Sequence, residues 1–337
     1  MQDTLTKQNL NQSDLEKIGF EDSPMGKAIL NKAIGFIDVG AKDEIIDEFK
    51  PISNYLDVIF FEPNKNEYEK LINRNQAYHS CKFFNAALSN EEKQADLHIT
   101  KSSMCSSLYS PHPHYTSRYG LVGYDVENIE TISVSSLDSV LKNEKFTKDD
   151  FFILKLDAQG ADLDIIKGGK EFIQNNVCAI ISEVNFFPSY SNIPLFSEVE
   201  LYLRELGFSF ITFTDYMFRS HRRTKPAKSL SRQRLFHADA LFVKDPILNA
   251  SNIKNDSFPY YYIILFMLYN LYDSAIEIAE KLITNPVDRE ESIKVITKAE
   301  ELYLERAISR ANKGLNILQS SNDNKEILYY LNNRTIL

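Results

Sequence analysis

The chain has 337 residues, enough for about two domains or one large domain with an extension. Apolar residues make up 43% and charged residues 25%, with 11 Gly and 11 Pro; this composition excludes a disordered, collagenous or low-complexity chain and leaves material for a sizeable core. The net charge of −9 excludes a globally basic nucleic-acid binder, so nucleic acid is not an expected partner.

Residues 1–33 read as a polar leader with a weak helical period. It carries no apolar signal region, so the expected location is the cytoplasm. From Gly35 short apolar runs alternate with amphipathic stretches: GFIDV (35–39), VIFFE (58–62), KFFNAAL (82–88), FFILKLD (151–157), CAIISEV (178–184), FSFITF (208–213) and ALFVK (240–244). Runs of this kind suit strands of a parallel sheet covered on both faces, and the intervening stretches, such as 162–174 and 196–206, suit helices. Residues 89–150 interrupt the alternation with an expected extra strand pair, ADLHIT and ETISVS, and a loop rich in Ser, His and Tyr. The expected domains are a leader (1–33), an α/β domain (34–248) and a helical appendage (255–337).

The appendage has strong helical periodicity, with Val295, Ile296, Ala299, Leu302, Tyr303 and Ala307 on one face. Its apolar run YYYIILFMLY (260–269) is shorter than the ~20 residues a membrane span needs. The Tyr260–Tyr272 helix either pairs with its copy in a homodimer or packs on its own domain. Cys81, Cys105 and Cys178 are too few and too scattered for a disulfide framework or a zinc site.

In open parallel sheets ligands bind beyond the carboxyl ends of the strands. The first expected strand ends in Asp38-Val39-Gly40-Ala41 and the second in Glu62-Pro63-Asn64. A carboxylate about 20 residues after a strand-end glycine turn can accept the hydroxyls of a ribose; the plainer reading of Glu62 is a solvated strand-end acid. Small residues after the third strand, Ala86 and Ala87, leave room for a flat base. Asp157 ends the fourth strand, and Glu183 and Asn185 the fifth. The two acids can face one pocket, where one would act as general base, or one of them only caps a helix. Asp157, Glu183 and Asp239 could share a divalent cation, but nothing in their spacing demands it, and no metal is assigned.

These residues, taken in order, resemble the FkbM-type methyltransferases. Asp38-Val39-Gly40-Ala41, Phe61-Glu62-Pro63-Asn64, Ala86-Ala87-Leu88-Ser89 and Cys105-Ser106-Ser107-Leu108-Tyr109 carry the resemblance. So do the run LKLDAQGADLDIIKGG (154–169), Pro194–Val199 leading to Leu206-Gly207-Phe208, and His237-Ala238-Asp239-Ala240-Leu241. The resemblance covers about 34–247. It implies an α/β, Rossmann-like class I sheet with helices on both faces, S-adenosylmethionine (SAM) as cofactor, and methyl transfer to a hydroxyl oxygen. The acceptors it implies are carbohydrates or glycosylated metabolites, of the cell-surface glycan or nucleotide-sugar type. Asp38, Gly40 and Ala41 would cradle the methionine part of SAM, and Glu62, with Pro63 beside it, the ribose. Ala87 and Leu88 would border the adenine, and Asp157 and Gln159 would lie near the methyl donor. The sequence departs from the family's glycines at Asp43 and Glu44. A second reading follows from that turn: a binding module that has lost the cofactor, with a helical tail that docks a partner. A nicotinamide-dependent oxidoreductase is disfavoured by the missing G-x-G-x-x-G.

A sugar hydroxyl is a poor acid, so a base assists transfer. Asp157 or Glu183 is the first candidate, and His112 or His114, in SPHPHY, the second. Asn185, Tyr190, Arg222 and Arg223 are candidate acceptor contacts. The segment 219–234 holds Arg219, Arg222, Arg223, Lys225, Lys228, Arg232 and Arg234 and no acid. It suits an anionic acceptor such as a phosphorylated or nucleotide-linked sugar, or else is a solvated charged loop.

Overall fold

The computed structural model describes residues 9–41, 45–74, 77–219 and 234–320. The chain separates into two compact units. One takes in the residues up to Ala28, Asp47–Pro51 and those from Pro259 onward; the other takes in Ile29–Ile46 and Ile52–Phe258.

The larger unit is built on a seven-stranded sheet. Its strands are β1 (Ile34–Val39), β2 (Leu56–Phe61), β3 (Ser80–Phe84), β7 (Phe152–Leu156), β8 (Val177–Asn185), β9 (Ser209–Arg219) and β10 (Arg234–Val243), in the spatial order β3-β2-β1-β7-β8-β10-β9. All run parallel except β10, which is antiparallel to both its neighbours. Helices flank the sheet: α3 (Lys65–Ile72), α5 (Leu137–Leu141), α6 (Asp162–Gly168), α7 (Lys170–Asn176) and α8 (Phe196–Glu205). This is the Rossmann-like α/β arrangement that the resemblance implies. Every residue of β1 is buried, as expected of a central strand covered on both faces. Ile37, Val39, Leu154, Leu156 and Ile180 of the sheet pack with Leu163, Ile166 and Ile173 of α6 and α7 and with Leu203 of α8. Burying such side chains contributes roughly 1.5–3 kcal/mol each.

The run KFFNAAL is not one strand. It divides into β3 in the main sheet and β4 (Ala87–Ser89), which joins a second sheet in the order β4-β6-β5, with β5 (Lys93–Thr100) antiparallel to β6 (Val126–Ser136). Asn85 makes the break. Its side-chain amide donates to the carbonyls of Glu62 (2.8 Å) and Pro63 (3.1 Å), which holds the chain to the end of β2 while it changes sheets. Between β5 and β6 lies α4 (Pro113–Tyr119).

The smaller unit holds α1 (Gln12–Ile18), most of α2 (Pro24–Asn31), and α9 (Phe258–Leu268), α10 (Tyr272–Leu282) and α11 (Pro286–Ser320). α11 packs on α10 and on α1. Asp14 of α1 is fully buried, closes a capping box with Asn11 and pairs with Arg306 of α11. α9 is apolar nearly all round and buried. No helix among the described residues is long and apolar enough to cross a membrane.

Candidate active site

The order of the main sheet reverses between β1 and β7. From β1 the chain proceeds outward through β2 and β3; from β7 it proceeds the other way through β8. At such a switch point two loops diverge and leave a crevice beyond the strand ends. Gly40 and Asp157 close the floor of this crevice. The Asp157 amide donates to the Val39 carbonyl at 3.1 Å, and a Cβ on Gly40 would meet the Asp157 carbonyl oxygen at 2.2 Å. Gly40 also has φ +82°, so only glycine fits without displacing the β7 end.

The cavity above has a volume of about 190 Å³. Val39, Gly40, Glu62, Pro63, Ala87, Leu88, Asp157 and Gln159 line it, together with Leu97, Ile165 and residues 103–108 of the inserted segment. Glu62 is buried, and its Oε1 accepts from the Asn64 amide at 2.7 Å. Of the residues expected around a cofactor, the structure thus brings together Gly40, Glu62, Pro63, Ala87, Leu88, Asp157 and Gln159. Asp38 and Ala41 are not in the lining. The Ala41 amide donates to Phe61, and Asp38 lies buried beneath the crevice against Lys155. Asp43 and Glu44 lie outside the described residues, as do Arg222 and Arg223.

Asp157 is held by a relay. Gln159, itself in a left-handed backbone conformation, donates from Nε2 to Asp157 Oδ1 at 2.8 Å. Its Oε1 lies 2.9 Å from the Tyr190 hydroxyl, which also lies 2.9 Å from the Cys105 carbonyl. Ser107 donates to the Gln159 carbonyl at 2.7 Å, and Tyr109 to Asp164 at 2.7 Å. The inserted segment is thereby fastened onto the turn after β7. Tyr190, expected to contact an acceptor, is buried in this relay; Asn185 is buried within hydrogen-bond distance of Ser189.

A row of charged groups crosses the carboxyl edge. Asp38 and Lys155 are register partners, as are Glu183 and Asp239. Lys155 Nζ lies 3.0 Å from Asp38 Oδ1 and 3.9 Å from Asp157 Oδ2. Burial raises the Asp38 pKa, opposed by the Lys155 ammonium. Burial would lower that of Lys155, but Asp38 and Asp157 together carry it above the usual lysine range. Glu183 is pushed well up by burial and by the carboxylates of Asp157, Asp162 and Asp239. His237 Nδ1 lies 3.1 Å from Glu183 Oε2, and burial lowers the imidazole. Both shifts run toward the uncharged forms. Asp162, at the start of α6, is pushed up to about 7, first by burial and then by Asp157.

Lys155 and His237 carry roles that the sequence reading left unassigned. The signal for Lys155 was present: it is the one charged residue of the buried strand FILKL. His112 and His114 lie at the start of α4, stacked edge-on with Tyr115, and are not among the residues lining the cavity. Among the described residues no group of three or more His, Cys, Asp or Glu is arranged to hold a metal ion.

The fold and the crevice define an α/β protein with a cleft at the switch point of its sheet. The family model for the Methyltransferase FkbM domain matches residues 38–210, more than half of the chain, and the protein belongs to the FkbM methyltransferase family. The crystal structure of Methyltransferase FkbM from Methylobacillus flagellatus KT is similar over 63% of this chain and 43% of that one, with 13% identity and a TM-score of 0.34. The present chain therefore spans less than half the length of that protein. No curated protein matches the chain.

Proposed function

We propose that this methyltransferase uses SAM and methylates a hydroxyl oxygen of a carbohydrate or glycosylated metabolite. The observation that carries the reading is the lining of the switch-point cleft: a buried acid at the end of β2, an apolar slot, and a carboxylate at the end of β7.

The residues present fit the cofactor. Glu62 offers a desolvated carboxylate for ribose hydroxyls, which are donors. Ala87, Leu88, Leu97 and Ile165 give the cavity an apolar lining suited to an adenine. Gly40, Pro63, Asp157 and Gln159 line the same cavity. SAM would supply an activated methyl group on a sulfonium.

The protein's part is to place the acceptor oxygen and take its proton. Alignment of two bound reactants contributes ~7–11 kcal/mol in a well-ordered site. Asp157 is suited to act as base, because its side chain is 42% exposed and opens into the cavity. Gln159 fixes one of its oxygens and leaves the other toward Lys155. Glu183 is suited to a different task. Burial and the neighbouring carboxylates push its pKa well up, which favours the form that donates a hydrogen bond, and His237 is within reach of it. The inserted segment is fastened beside this end of the cleft, Ser107 bonding to the Gln159 carbonyl and Tyr190 reaching both the Cys105 carbonyl and Gln159.

The test is transfer of an isotope-labelled methyl group from SAM to a panel of sugars, sugar phosphates and nucleotide sugars. The reading expects label in an ether linkage, and none with Asp157→Asn although that variant still folds. Label on nitrogen or on a carboxylate would overturn the acceptor class, and full activity of Asp157→Asn would overturn the base.

A further inference from the structure

The β9–β10 hairpin ends in two arginines placed directly opposite one another, Arg219 and Arg234. Like charges at such positions repel. Among the described residues, no carboxylate lies within ion-pair distance of either guanidinium, and Arg219 Nε is buried with no hydrogen-bond partner. Instead, both cations are held on aromatic faces. Arg234 lies over Phe187, 4.8 Å from the ring centroid, and Arg219 over Phe236 at 5.8 Å. The two rings pack edge to face at 4.4 Å, and Tyr119 adds a hydroxyl 3.4 Å from Arg234 Nη1. An aromatic platform holds a guanidinium plane in place while its N–H edge stays free for an oxyanion.

This pair adjoins the contact between His237 and Glu183 at the carboxyl edge. Phe236, which carries Arg219, is the neighbour of His237, and the two rings are 5.3 Å apart. His237 in turn touches Glu183. The Arg219 charge is among the influences that lower the His237 pKa, so an anion seated on Arg219 would act on the same group.

We propose that Arg219 and Arg234 form a clamp for a phosphoryl group of the methyl acceptor. Two fixed cations match a dianion. A carboxylate, with one charge, would leave the second arginine uncompensated. The inference rests on the reading of the cleft as a methyl-donor site and narrows its acceptor to phosphorylated compounds.

The full-length protein, saturated with S-adenosylhomocysteine (SAH), is titrated calorimetrically in low salt with inorganic phosphate, acetate, glucose 1-phosphate and uridine diphosphate. Phosphate is expected to bind in the millimolar range, and acetate at least about tenfold more weakly. Arg219→Gln and Arg234→Gln should each weaken phosphate binding about tenfold or more, with partial rescue by lysine, which keeps the charge but loses the fork. SAH affinity should stay within about twofold in every variant, since neither arginine lines the donor cavity. Tighter binding of glucose 1-phosphate would identify a sugar phosphate, and of uridine diphosphate a nucleotide sugar. The clamp is overturned if phosphate does not bind, if acetate binds as well, or if the glutamine variants bind phosphate like the parent. Loss of SAH binding in the parent protein would be a separate result that overturns the donor site.

Discussion

The Lys155 ammonium sits 3.0 Å from Asp38 Oδ1, across the register pair that β1 and β7 form at the point where the sheet order reverses. Asp38 is almost fully buried and Lys155 is 13% exposed. The pair therefore underlies the crevice instead of lining it. It places a positive charge beneath the Asp157 carboxylate and couples the two central strands where their loops diverge.

Removing one partner of a buried ion pair leaves the other uncompensated, which typically costs about 3–5 kcal/mol. Lys155→Met should therefore lower the urea midpoint strongly at pH 7. The loss should be smaller in acid, where Asp38 accepts a proton. Equal loss at both pH values would mean that packing, not charge, accounts for the effect.

Asp162 gives the fold a pH dependence of definite sign. Its carboxyl titrates near 3.8 when unfolded and at about 7 in the folded chain. Between these values the folded protein holds the extra proton, so this contribution to stability falls as pH rises. Asp162→Asn removes the penalty. The variant should gain on the parent by about 3 kcal/mol between pH 5 and pH 8. A constant difference across that range would show that Asp162 titrates normally.

Tyr190 acts on Asp157 through Gln159 and is a positioning residue. Tyr190→Phe should lower kcat about tenfold and leave SAH affinity unchanged. Because Asp157 is oriented less firmly, the fall should appear in kcat rather than in the acceptor KM. An unchanged kcat would show that the relay serves only to anchor the inserted segment.

In the helical unit, Arg306 compensates the buried charge of Asp14. Arg306→Met should destabilise that unit by about 3 kcal/mol, readable as loss of helical circular dichroism at lower urea. The expected change in SAH affinity is nil, because neither residue lines the cavity.

The strands were legible because continuous apolar runs such as VIFFE and FFILKLD suit strands covered on both faces, and their polar ends, Glu62 and Asp157, mark the carboxyl edge. The break in KFFNAAL was not legible. It depends on Asn85 reaching the carbonyls of Glu62 and Pro63, a contact between residues 22 and 23 positions apart. Asp38 illustrates the same limit. Its place in the motif suggested a ligand cradle, but the side chain points along a face it shares with Lys155, a relation set by the β1–β7 register. Spacing likewise showed two arginines at the ends of a basic segment; only pairing of β9 with β10 sets them opposite each other.

The most direct test of the account is calorimetric titration of the purified protein with SAH, beside Glu62→Ala. The account predicts micromolar binding by the parent and at least about tenfold weaker binding by the variant, the loss of a charge-assisted hydrogen bond. No binding by the parent up to millimolar SAH would contradict it and favour a module that has lost the methyl donor.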